Sequence, residues 1–221
     1  RRESSVEESL VEMYLAGVSV RRVEDITEAL WGTRVSPSTV SDLNQKIYGR
    51  IEDWRQRPLR NRYVYTYLDG LWLKRSWGGE TENVSILVSI GVNEMGFREV
   101  LGVVEGLSED KDSWSELLKS LYHRGLRSID LVISDKAGGL LEVLPRYYPK
   151  AKWQRCVFHF HKNILHKVPR QKRAEVIAML KAIHTQEDAE SSVEKARAVV
   201  QKLRALRLGS AAKILEDGIL E

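Results

Sequence analysis

Apolar positions in residues 4–60 recur every three to four residues. In SVEESLVEMYLAG, Val6, Leu10, Met13 and Tyr14 share one helical face and Gly17 ends the run. SVRRVEDITEALWG repeats the pattern through Val20, Val23, Ile26, Leu30 and Trp31, stopping at Gly32. VSPSTVSDLNQKI predicts a third helix, with Ser36 as N-cap, Pro37 at the first helical position, and Val40, Leu43 and Ile47 inward. Residues 54–63, WRQRPLRNRY, read as a basic connector.

Beyond the connector the period shortens to two. YVYTYLDGLWLKR alternates aromatic and aliphatic residues, NVSILVSIGVN is a continuous apolar run, and FREVLGVVEG follows a turn at Asn93 to Gly96. SWGGE between the first two reads as a hairpin turn, so the three runs predict an antiparallel meander. SEDKDSWSELLKSLYHRG then reads as a helix opened by Ser108 and closed by Gly125. IDLVISD is a short strand, GGLLEVLPRYY a short helix and AKWQRCVF a last strand; from about residue 157 the pattern is helical to the end. This order predicts an α/β fold with a mixed sheet flanked by helices.

Composition narrows the class. The 221 residues are 43% hydrophobic, enough for a packed core, and no apolar run approaches the roughly 20 residues of a membrane span. A single cysteine, Cys156, excludes an internal disulfide and fits a reducing cytoplasm. The charged start is no signal peptide, and without an initiator Met it suggests a piece of a longer chain. Net charge is zero over residues 1–60, −2 over 61–150 and +6 over 151–221. Within 151–173 stand seven cations (Lys152, Arg155, Lys162, Lys167, Arg170, Lys172 and Arg173) and no acid: a solvated face, or a surface for a phosphate backbone.

Two carboxylates stand out against their surroundings. Asp69 lies inside the first strand, and Asp135 ends the fourth, just before Gly138 and Gly139. Each has a plain explanation, as a strand-surface or turn acid for Asp69 and a helix N-cap for Asp135. Strands lying side by side would instead bring them together, and two apposed carboxylates invite a hard divalent cation, Mg²⁺ or Mn²⁺, of the kind used in phosphoryl transfer. Ser38, Thr39, Ser41 and Asp42 on the first turn of the third helix fit a helix-turn-helix entering DNA, or an ordinary three-helix bundle. Cys156 and His159 are half of a zinc pattern with no second half.

YLDGLWLKR, VISDKAGGL and WQRCVFHFHKNIL, preceded by MYLAGVSVRRVEDI and WGTRVSPSTVSDL, resemble in order and spacing the core of Mutator-type insertion-element transposases. The resemblance covers nearly the whole chain. It implies a ribonuclease-H-like core over residues 61–160, a helix-turn-helix-like DNA-binding region over 1–60 and an all-helical insertion over 161–221. It also implies metal-dependent strand cleavage and strand transfer on double-stranded DNA, at terminal inverted repeats and target DNA, by a homo-oligomer acting at the nucleoid of a prokaryotic cytoplasm. Asp69 and Asp135 match the first two acids of the family's Asp-Asp-Glu triad. Cys156 and His159 match its C-x2-H signature, and Lys162 with Asn163 the pair that follows. Arg155, Lys162, Lys167, Arg170 and Lys172 become candidate DNA contacts, beside Ser38, Thr39 and Ser41. The family's glutamate follows an asparagine by three residues. No asparagine here has Glu at that spacing, and Glu216 and Glu221 read as insertion helix, so the third acid is expected outside residues 1–221. The alternative expectation is a non-catalytic DNA-binding remnant of a transposase.

Overall fold

A computed structural model describes residues 4–32, 36–77, 80–106 and 108–221. It divides into two compact units, Arg1–Pro58 and Leu59–Glu221.

The first unit holds α1 (Ser4–Leu15), α2 (Val20–Trp31) and α3 (Pro37–Gln56). Ser19 caps α2 by accepting from the Arg22 N–H, and Gly32 closes it at a φ of 67°, a left-handed conformation that suits glycine. Leu10 and Val23 are the buried centre, packed with Val11, Met13 and Val18. The expected inward face of α2 is corrected in its last turn. Leu30 is 63% exposed and Trp31 42%, while Thr27 is buried, its hydroxyl donating to the Glu24 carbonyl. A hydroxyl satisfied by its own helix is cheap to bury, whereas the last turn overhangs this small core. α3 also runs past Ile47 to Gln56, taking in residues assigned above to the connector. It stops where Pro58 disfavours helical backbone at the residue before it.

The second unit is a five-stranded mixed sheet, in the order β3-β2-β1-β4-β5. β1 (Tyr63–Trp77), β2 (Glu80–Asn93) and β3 (Arg98–Gly106) form the expected antiparallel meander. Gly78 and Gly79, in the expected hairpin turn, lie outside the described residues; Trp77 and Glu80 pair on either side of them. β4 (Leu131–Ser134) pairs parallel with β1, and β5 (Lys152–Arg155) parallel with β4. β5 is shorter than the sequence suggests, because Cys156 is already the N-cap of the next helix.

α4 (Lys111–His123) and α5 (Gly138–Tyr147) cover one sheet face. Trp114, Leu117, Leu118, Leu121, Leu140 and Val143 pack there against Leu68, Leu87, Leu101 and Val132. Each such side chain contributes about 1.5–3 kcal/mol of burial. The cap of α4 is Asp110 rather than Ser108: its carboxylate accepts from the Ser113 N–H, and Ser108 donates to it. On the opposite face Tyr65 and Tyr67 are exposed.

After β5 come α6 (Val157–His166), the 3-10 turn Arg170–Lys172, α7 (Arg173–Ile183), α8 (Ala189–Ala205) and α9 (Gly209–Asp217). They enclose a second core around Ile164, Val176, Leu180, Val199, Val200, Leu203, Ala211 and Leu215.

Candidate active site on adjacent parallel strands

The parallel register of β1 and β4 positions the two acids. Leu68 pairs with Ser134 as the last pair, so Asp69, midway along β1, and Asp135, the first residue past β4, each follow that pair directly. Neighbouring strands lie about 4.8 Å apart. By alternation Asp69 points away from the face where Thr66 and Leu68 are buried, towards the side not covered by α4 and α5. Both carboxylates are partly exposed, at 48% for Asp69 and 40% for Asp135.

Each aspartate is tethered by its own chain. Oδ1 of Asp69 accepts from the Gly70 N–H at 3.0 Å, and Oδ1 of Asp135 from the Lys136 N–H at 2.8 Å. Neither Oδ2 has a hydrogen bond among the described residues. Asp135 does not cap α5, whose N-cap is Ala137 without a side-chain bond. The N-cap explanation of Asp135 is thereby corrected.

The glycines near the two acids differ in what surrounds them. A Cβ on Gly70 would lie 2.4 Å from Cδ of Glu109, which accepts from the Trp72 indole N–H. A Cβ on Gly139 would meet the Lys111 backbone nitrogen at 2.7 Å, so this glycine lets the start of α5 approach the start of α4. Gly138 has open space where a Cβ would be.

Two basic side chains stand close by. Nε2 of His159 is 3.9 Å from Oδ1 of Asp69, and Nε of Arg155 is 3.9 Å from Oδ1 of Asp135. His159 and Cys156 line a cavity of about 300 Å³ together with Tyr67, Asp69, Ile90, Arg98 and Ile133. Ser134 fastens this corner, accepting from the Trp153 indole while its carbonyl accepts from the Cys156 N–H.

Glu221 is corrected more sharply. It lies beyond α9, outside any helix, and its carboxylate pairs with Lys136 and with Arg155. Its carbonyl also accepts from the Arg155 N–H at 2.9 Å. Sequence distance hid this contact, since 85 residues separate Lys136 from Glu221. Glu216 stays on α9 and pairs with Arg204.

The candidate DNA contacts divide. Lys162, Lys167 and Arg170 are exposed. Lys172 is half-buried and donates to the Leu206 carbonyl at 3.1 Å. Arg155 is only 12% exposed, bound to Glu221 and stacked on Phe160. Ser38, Thr39 and Ser41 fall in the first turns of α3, and their side chains lie outside the described residues.

Two oxygen-donor carboxylates, each with an oxygen to spare, suit a hard cation such as Mg²⁺ or Mn²⁺. Among the described residues no group of three or more His, Cys, Asp or Glu is arranged to hold a metal, so these two acids make a partial donor set. No helix among those residues is long and apolar enough to cross a membrane.

The architecture and site define an α/β protein with one acid midway along β1 and a second just past the end of β4, the adjacent parallel strand. Residues 1–221 match throughout the family described as Transposase, Mutator family, and the chain belongs to it. It is 32% identical over 194 residues to the transposase of insertion sequence IS905 from Lactococcus lactis, covering 88% of this chain and 49% of that protein. With the IS1081 transposase of Mycobacterium tuberculosis it shares 35% over 204 residues, or 92% and 49% of the two lengths. With the IS256 transposase of transposon Tn4001 from Staphylococcus aureus it shares 31% over 220 residues, or 99% and 56%. The chain thus spans about half the length of the curated relatives it matches. A solved simian T-cell lymphotropic virus intasome complex matches 81% of this chain and 57% of its own at 10% identity, with a TM-score of 0.24 too low to bear on the fold.

Proposed function

We propose that this chain is part of a DNA transposase with a ribonuclease-H-like core, and that Asp69 and Asp135 are two of its metal-holding catalytic carboxylates. The observation that carries the reading is the parallel pairing of Leu68 with Ser134, which brings Asp69, midway along β1, beside Asp135, just past the end of β4. A bound Mg²⁺ or Mn²⁺ would supply charge stabilisation during phosphodiester cleavage and strand transfer. The chain's own part is to hold the two carboxylates by the Gly70 and Lys136 N–H groups, each with its second oxygen unbonded among the described residues. Trp153 and Ser134 brace the strand end beneath them. Arg155 offsets part of the negative charge of Asp135, and His159 lies beside Asp69.

Double-stranded DNA, at terminal inverted repeats and at the target, is the substrate in this reading. The helix-turn-helix-like region 1–60 would recognise the repeats, and Lys162, Lys167 and Arg170 would follow the backbone. A homo-oligomer would hold paired ends, within a prokaryotic cytoplasm. The third acid is assigned outside residues 1–221, because no Asn-x-x-Glu occurs within them and Glu221 is engaged by two cations. The second reading is a DNA-binding remnant without cleavage, favoured by the absence of a third acid grouped with Asp69 and Asp135 among the described residues.

A cleavage assay on inverted-repeat DNA with Mg²⁺, using the chain carried to the length of its relatives, separates the two. Asp69→Asn and Asp135→Asn should each lower cleavage at least about a hundredfold, since the charge they hold acts on the transition state. DNA affinity should change little, because phosphate contacts lie elsewhere. Full cleavage by either variant removes the site assignment. An unmutated protein that binds but never cuts leaves the remnant.

A further inference from the structure

We propose that His161 and His184 form a second cation site, for a borderline transition-metal ion of the zinc type, joining α6 to the end of α7. The site is separate from the carboxylates at Asp69 and Asp135 and independent of the transposase reading.

The two imidazoles come from different elements. His161 sits within α6, and His184 is the C-cap of α7. Their Nε2 atoms are 3.2 Å apart, with ring centres at 5.2 Å and planes inclined by 43°. Two imidazole nitrogens bound to one tetrahedral zinc ion, each at about 2.0–2.1 Å, are separated by about 3.3 Å. The pair therefore already has the span of two corners of a zinc tetrahedron.

A hydrogen bond between one protonated and one bare nitrogen also fits that distance, and the surroundings favour the ion. Both rings line a cavity of about 480 Å³ that Gln154, Ser192 and Glu221 also border, which leaves room for the remaining ligands. The elements carrying the rings are anchored by buried neighbours, Ile164 on α6 and Leu180 and Ile183 on α7, so little ordering is needed when an ion arrives. Nitrogen donors select zinc, copper or nickel over magnesium, the reverse of the preference at Asp69 and Asp135. With two protein ligands and water at the other corners, binding is weaker than at a four-ligand structural site.

An ion here would brace α6, the helix that carries His159, against the end of α7. His159 stands two positions before His161 and 3.9 Å from Asp69.

Calorimetric titration of the 221-residue chain with Zn²⁺, in excess Mg²⁺ to occupy the carboxylates, tests the site. The variants are His184→Gln, His161→Gln and Cys156→Ser. Gln keeps a hydrogen-bond donor but removes the imidazole, and the exposed position of His184 makes its replacement mild. The expected result is one Zn²⁺ per chain and a raised thermal midpoint, both unaffected by Cys156→Ser. Either Gln variant should weaken binding about tenfold or more while helical circular dichroism stays unchanged. Absence of Zn²⁺ binding to the unmutated chain overturns the proposal. So does undiminished binding in both Gln variants, or loss confined to Cys156→Ser, which would assign the ion to Cys156 and His159.

Discussion

The two glycines after Asp135 look alike in sequence, but they do different work. A methyl at Gly139 would run into backbone at the start of α4, and backbone yields far less readily than a side chain. Gly139→Ala should therefore destabilise the protein by about 1–3 kcal/mol in urea unfolding, the usual cost of overpacking. Gly138→Ala, with open space at its Cβ, is the matched control and should be nearly neutral. Equal effects in the two variants would refute the close-approach explanation. Arg155 makes a related point. It belongs to a basic run, yet its guanidinium is spent inside the fold on Glu221, Phe160 and Asp135. Its membership of the run says little about whether it meets DNA.

At the level of elements, two helices depend on aspartate caps. Asp110 accepts from the Ser113 N–H before α4, and Asp188 from the Ser191 N–H before α8. The Ser108 hydroxyl and then the Ser113 N–H hold Asp110 below its ordinary value, and the Ser191 N–H does the same for Asp188. A depressed carboxylate contributes stability that is fully present above its unfolded-state value and lost as pH falls through the folded one. Both caps should thus weaken on the acid side, below about pH 4. Asp110→Asn and Asp188→Asn preserve a capping oxygen but cannot titrate. Urea midpoints from about pH 6 to about pH 3 should fall less steeply in these variants than in the unmutated chain. Parallel curves would show that the caps do not contribute to acid sensitivity.

For the whole molecule the relevant quantity is where the surplus positive charge is exposed. Lys167 and Arg170 project from the junction between α6 and α7, whereas Lys172 turns inward to the Leu206 carbonyl. Charge reversal at Lys167 and Arg170 together should weaken DNA binding and reduce the slope of log affinity against log salt by about two. Fluorescence anisotropy across a salt series measures this. Lys172→Glu should instead appear mainly as lost stability. An unchanged slope in the double variant returns this stretch to an ordinary solvated face.

Periodicity and punctuation carried the order of elements. The shift from a helical to a two-residue period after residue 60, with glycines at Gly17, Gly32 and Gly125, placed most helices and strands, because backbone geometry responds to neighbours within a few residues. Local chemistry also marked Asp69 and Asp135, since a carboxylate in an apolar strand conflicts with its surroundings in any fold. Pairing, register and contacts between distant residues depended on tertiary structure. Leu68 opposite Ser134, Glu221 on Lys136 and Arg155, and His161 against His184 all depend on which surfaces pack. Such contacts join residues tens of positions apart, and their free energy is gained only once the cores around Leu117 and Leu203 have closed.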